Sequence, residues 1–138
     1  MAPLTSFDTQ MQLLSKVLDL RAQNAQVISA NIANAETPGY TAKKFEFEAE
    51  LTNALTKNTG IGLKTTSQTH IPLGPSNFNE VSGKIVSVEE KNPIGDENGV
   101  SVDQEMLKLS ENELLYETAA QLLKKKLTLL KYVISGGQ

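Results

Sequence analysis

Apolar residues return at alternating intervals of four and three along the start of the chain: Phe7, Met11, Leu14, Leu18, Ala25, Ile28 and Ile32, with Arg21 in the one polar place. That spacing lines one face of a helix and forms a heptad seam. Thr5-Ser6-Phe7-Asp8 resembles a capping box with Thr5 as N-cap. A helix is therefore predicted from Ser6 to Asn34, roughly 43 Å long at about 1.5 Å per residue. A second seam closes the chain: Val102, Met106, Leu109, Tyr116, Ala120, Leu123, Leu127, Leu130 and Ile134, with Glu113 as its polar member. Ser101-Val102-Asp103-Gln104 reads as a second capping box, Lys131 sits in the last turn, and Gly136-Gly137 stops the helix. This helix is predicted from Val102 to Ile134, about 50 Å. Matched seams at the two ends predict an antiparallel or staggered coiled-coil hairpin. Residues 1–35 and 101–138 would together form one helical domain around a small insert, 36–100, in a mainly α fold.

Each helix carries a second stripe, about 100° around from the first. On the first helix it is Leu13, Val17, Leu20 and Val27, completed by Asn24 and Asn31; on the last it is Leu115, Ala119, Leu122, Leu129 and Val133, interrupted by Lys126. One stripe closes a hairpin. The other would face outward, and contiguous exposed apolar surface marks an interaction site. The alternative is that the middle region covers the second stripes. Its polar, turn-rich composition makes it a poor cover. Leu123 and Leu127 are assigned to the intrachain seam and Leu122 and Leu129 to neighbouring subunits, although the pattern equally allows the reverse.

The middle, from about Thr41 to Gly99, holds most of the glycines and many Ser, Thr and Asn residues. Phe45, Phe47, Leu51 and Leu55 fit a short amphipathic helix, and Phe45-Glu46-Phe47-Glu48 equally fits a strand start. Lys84-Ile85-Val86-Ser87-Val88-Glu89 reads as a strand, Gly62–Thr66 as a weaker one, and Asp96–Gly99 as a turn. A small irregular region with one β-hairpin is expected. Between helix and insert lies Asn31-Ile32-Ala33-Asn34-Ala35-Glu36-Thr37-Pro38-Gly39-Tyr40. Thr37 precedes a proline and is driven toward extended geometry. Pro38 and Gly39 suit the central positions of a type II turn, Gly39 with positive φ. Asn34 suits a helix end because Asn tolerates the left-handed conformation. Asn31 and Asn34 are three apart, near one face of the last turn.

Composition narrows the function. Thirteen basic and 16 acidic residues leave a net charge of −3, with no basic field for nucleic acid. Cysteine is absent, which removes disulfides, thiolate metal sites and a cysteine nucleophile. No run of about 18 apolar residues could cross a membrane, and the start lacks a signal peptide's basic and apolar regions. His70 is the single histidine, with no partners at metal-site or triad spacing. Glu46, Glu48 and Glu50 would share one face of a strand, solvated, with nothing near them to raise a carboxyl pKa. Lys124-Lys125-Lys126 flank the apolar seam on several sides, which fits a partner helix better than a membrane surface. No catalytic, cofactor-binding or metal-binding residue is expected.

Asn-Ile-Ala-Asn-x-x-Thr-Pro-Gly-Tyr at 31–40 resembles the N-terminal motif of the bacterial flagellar axial proteins: rod, hook and hook-associated subunits. The Phe45/Phe47/Leu51 segment, Thr69-His70-Ile71-Pro72, and the stretch Glu105-Met106…Ser110-Glu111-Asn112…Tyr116…Leu130-Lys131-Tyr132…Ile134 are similar to short proteins of the proximal rod. The resemblance covers both ends and only thinly the middle. It implies a structural, non-enzymatic subunit of the rod that crosses the periplasm, exported through the flagellar type III apparatus. It implies assembly as a helical oligomer by stacked terminal helices, without direct membrane insertion. Its neighbours would be other rod subunits, the MS-ring, the rod-adaptor protein and the export gate. The rivals are another proximal-rod paralogue, a cytoplasmic coiled-coil adaptor, which would not need the 31–40 motif, and an enzyme, which would need a polar constellation the sequence lacks.

Overall fold

A computed structural model describes residues 2–58, 77–88 and 99–136. Helix α1 spans Ala2–Ala33, strand β1 Lys43–Glu46, helix α2 Glu48–Asn58, a single 3₁₀ turn Phe78–Glu80, strand β2 Lys84–Ser87, and helix α3 Val102–Ile134. Helix α1 begins before Thr5 because Pro3 falls in its first turn, where a missing N–H and a fixed φ favour the helix. Helix α3 has the predicted ends. Ser101 has extended geometry but makes no side-chain cap, so the expected capping box does not form; Asp103 and Glu105 complement the helix dipole instead. Gly62–Thr66, Thr69–Pro72 with His70, and Asp96–Asn98 lie outside the described residues.

Both readings of the Phe45 segment hold in succession: a strand through Glu46, then a helix from Glu48. β1 and β2 pair antiparallel from Lys43↔Ser87 to Glu46↔Lys84, across an intervening α2 and not through a tight hairpin. Glu48 and Glu50 therefore enter the first turn of α2, where acidic residues are favoured, and do not share a strand face with Glu46. Pleating sends Phe45 and Phe47 to one side, their ring centroids 5.3 Å apart. They meet Leu20, Ala54, Phe78 and Val81 in a buried cluster, with Leu13, Val27 and Leu51 against its edge. Gly83 passes so close to the Phe45 ring that a Cβ there would overlap it.

This cluster revises the expected roles of the stripes. Leu20 is buried within the cluster and Leu13 and Val27 pack against its edge, so the middle region takes up these members of the stripe inside the chain. Three aromatic rings make a compact cover from a segment that is polar in average composition. The hairpin seam is displaced as well. On α3 the buried residues are Glu105, Asn112 and Ala119, while Met106 is 56% exposed and Tyr116, Leu127 and Ile134 are also exposed. Leu109, Leu123 and Leu130 keep their place at the pairing face, half-buried. On α1, Ile28 is buried and Met11, Leu14, Leu18 and Ile32 are half-buried. The pairing face of α3 thus lies between the two apolar stripes.

The cause is polar pairing. Asn31 Nδ2 donates to Glu105, Asn24 Nδ2 to Asn112, and Lys126 Nζ to Gln10. Each step of seven residues along α1 is matched by a step of seven back along α3, and the same register sets Val17 opposite Ala119. Asn112 also donates to the Arg21 carbonyl at 2.9 Å. A polar residue at a core heptad position fixes register at some expense of stability.

Candidate functional site

Asn31 stands where α1, the 31–40 motif, β1 and α3 meet. It is 1% exposed. Its amide nitrogen donates to the Lys43 carbonyl at 2.7 Å and to Glu105 Oε2 at 2.8 Å. Its oxygen accepts from the Lys43 N–H at 2.9 Å and from the Tyr40 hydroxyl at 3.1 Å. Two donors and two acceptors exhaust the side chain's capacity. Its two hydrogen bonds to the Lys43 backbone imitate a strand neighbour, which docks β1 onto a helix. Glu105, itself buried, also accepts from Lys108 Nζ at 2.6 Å.

The turn brings Tyr40 within reach. The Asn34 carbonyl accepts from the Thr37 N–H at 3.0 Å, and the Thr37 carbonyl from the Tyr40 N–H at 3.2 Å. Pro38 and Gly39 occupy the centre of this second turn, with Gly39 at φ 75°. Asn34 does not adopt the left-handed conformation expected of it; no described non-glycine residue has positive φ. It closes the helix through its side chain, which donates to the Ala30 carbonyl at 2.8 Å and accepts from the Thr37 hydroxyl. Asn31 and Asn34 consequently serve different partners.

No atom lies within 4 Å of where a Gly39 Cβ would stand, so a substitution there meets only the backbone penalty. Gly39→Val is expected to lower stability by about 1–2 kcal/mol, the cost of a side chain at positive φ. Thermal unfolding of the two proteins checks this, and an unchanged midpoint would count against the turn geometry.

Arg21, the polar member of the first apolar series, sits 4.9 Å over the Phe47 ring and 3.1 Å from Glu48. It borders an open groove of about 940 Å³ between α1, α3 and the β1–α2 segment, where Glu46, Glu48, Glu105, Lys84 and Lys108 mix both charges. Among the described residues no group of histidine, cysteine or carboxylate side chains could hold a metal ion. Nor is any described helix long and apolar enough to cross a membrane. Phe78, Val81 and Ala54 in the core, and the pairing roles of Glu105 and Asn112, fall outside the residues that the apolar spacing marks. Heptad spacing from Gln10 through Asn24 to Asn31 was the signal for the last two.

The chain is a helical hairpin locked by a buried amide, with exposed apolar residues along one helix. A family model described as flagella basal body rod protein matches residues 18–41. The FlgB rod protein of Salmonella typhimurium is 32% identical, over 97% of this chain and 99% of its own length. That of Aeromonas hydrophila is 34% identical over 96% and 98%, and that of Escherichia coli K12 31% identical over 97% and 99%. The chain belongs to the family of the flagellar basal body rod protein FlgB. It is a structural subunit of the basal body rod and not an enzyme.

Proposed function

We propose that this chain builds the proximal part of the rod by self-assembly through its terminal helices, after export by the flagellar type III apparatus. Its neighbours in this reading are other rod subunits, the MS-ring, the rod-adaptor protein and the export gate. One observation carries it. Leu122 and Leu129 are 48% and 59% exposed on a helix whose pairing face is already filled. Leu115 continues the same stripe. The matching stripe of α1 is used inside the chain, so the burden of outward contact falls on α3. Among curated relatives of similar length, the rod protein name recurs over nearly the whole chain.

Leu122 and its half-buried neighbour Leu123 test the reading together. A charge buried without a partner costs several kcal/mol. Leu123→Glu is expected to weaken the hairpin and lower the amount of subunit in the cell. Leu122→Glu is expected to leave folding and secretion intact while blocking basal-body completion and motility. Secreted subunit and assembled basal bodies are measured for both in one strain. Indistinguishable phenotypes would remove the separation between folding and assembly surfaces.

A further inference from the structure

The charges of α3 are sorted along its length. From Val102 to Glu117 it carries five carboxylates and one lysine; from Lys124 to its end it carries four lysines and no acid. The helix dipole favours this polarity only within the first and last turns. Glu113 and Glu117 lie three to four turns from the start, and Lys124 nearly three turns from the end, so the dipole does not account for them. Glu113 and Glu117 are also like charges at i, i+4, an arrangement that weakens an isolated helix. Neither they nor Lys124 and Lys131 take part in an ion pair among the described residues.

These four residues share one flank. Glu117, Lys124 and Lys131 form a row at seven-residue spacing, with Glu113 one turn before it. The adjacent row runs Met106, Glu113, Ala120, Leu127 and Ile134; Met106, Leu127 and Ile134 are exposed, and Glu113 adds its charge at the acidic end. An apolar strip therefore runs beside a charge row that is acidic at one end and basic at the other.

We infer that this flank binds a second copy of the chain in parallel, displaced by about two heptads, so that the lysine-bearing end of one α3 lies against the glutamate-bearing end of the next. The inference rests on the rod-subunit reading and adds to it the partner, the direction and the offset. At about 1.5 Å per residue, fourteen residues give a displacement of about 21 Å. That shift sets Lys131 beside Glu117 and keeps Lys124 from facing another lysine. Because the two contacting ends differ, the contact is heterologous and leaves each end open for a further copy.

The test uses the full chain in solution. Lys124→Glu/Lys131→Glu and Glu113→Lys/Glu117→Lys are each expected to weaken self-association on the order of tenfold, as judged by sedimentation, and to lose its salt sensitivity. An equimolar mixture of the two is expected to associate as the unaltered chain does. All four side chains are exposed, so circular dichroism should show unchanged helix content. Direction is read separately. The natural chain has no cysteine, so Met106→Cys/Ala120→Cys, two heptads apart, should oxidise into a ladder of trimers and longer species. Failure of the mixture to recover, or oxidation that stops at dimers, would overturn the inference. If the charge variants build rods normally while Leu122→Glu does not, the inference fails and the rod-subunit reading stands.

Discussion

Asn31→Ala is expected to destabilise the chain by about 3–5 kcal/mol, among the largest effects a single polar substitution can have. Four hydrogen bonds disappear together. The Lys43 N–H and carbonyl lose their partner at the start of β1, the Tyr40 hydroxyl loses its acceptor, and the Glu105 carboxylate keeps only Lys108. Each buried group left unsatisfied costs about 1–3 kcal/mol, and an ionised one more. The size of the loss reflects what is stranded, not the worth of the amide alone. Asn31→Ala/Glu105→Leu should therefore recover part of it, because no buried carboxylate remains. Urea unfolding of the single and double variants measures this. A single-variant loss below about 1 kcal/mol would show that Asn31 does not hold the junction.

Phe47→Ala should bring a loss of similar size, about 3–5 kcal/mol, through a different mechanism. Phe47 is 3% exposed and lies at the centre of the cluster between α1 and the middle region. Truncation opens a cavity and removes the ring beneath Arg21. The remaining Arg21–Glu48 pair has a largely exposed carboxylate and contributes little. Phe47→Leu keeps most of the buried volume, and its expected loss is about 1–1.5 kcal/mol. Denaturant midpoints at constant slope distinguish the two. Equal losses for Leu and Ala would mean that packing volume is not what the ring provides.

Long elements were legible from apolar spacing; the partnership between them was not. Val102 and Ile134 were readable as the ends of α3 because an extended line, a charged last turn and a glycine stop agree. The hairpin itself was also readable from matched seams. What failed was the choice of facing residues. Apolar periodicity passes over Glu105 and Asn112 and places Asn24 and Asn31 in a stripe without giving them partners, since polar residues at a core position look like surface. Leu109, Leu123 and Leu130 survived the error because they lie on the rim shared by both faces. The middle region misled for another reason. Its core is a few rings, and their number says little until β1 and β2 bring Phe45, Phe47, Phe78 and Val81 together from distant positions. Within the 31–40 motif, the φ of Gly39 followed from local turn chemistry. The reach of Tyr40 to Asn31, and of Asn31 to β1 and α3, depends on the tertiary fold and has no local signature.

The matched seven-residue steps of the helix pair make its length a quantised property. Removing one heptad from α1 alone would offer Asn24 or Asn31 a partner meant for another layer, and the Val17–Ala119 layer would meet an amide. Removing two residues would rotate every later side chain of α1 by about 200°, away from α3. Only paired changes, seven residues in each helix, keep like layers together. The hairpin can lengthen or shorten by about 10 Å at a time, and its polar layers act as the graduations of a ruler read in both directions.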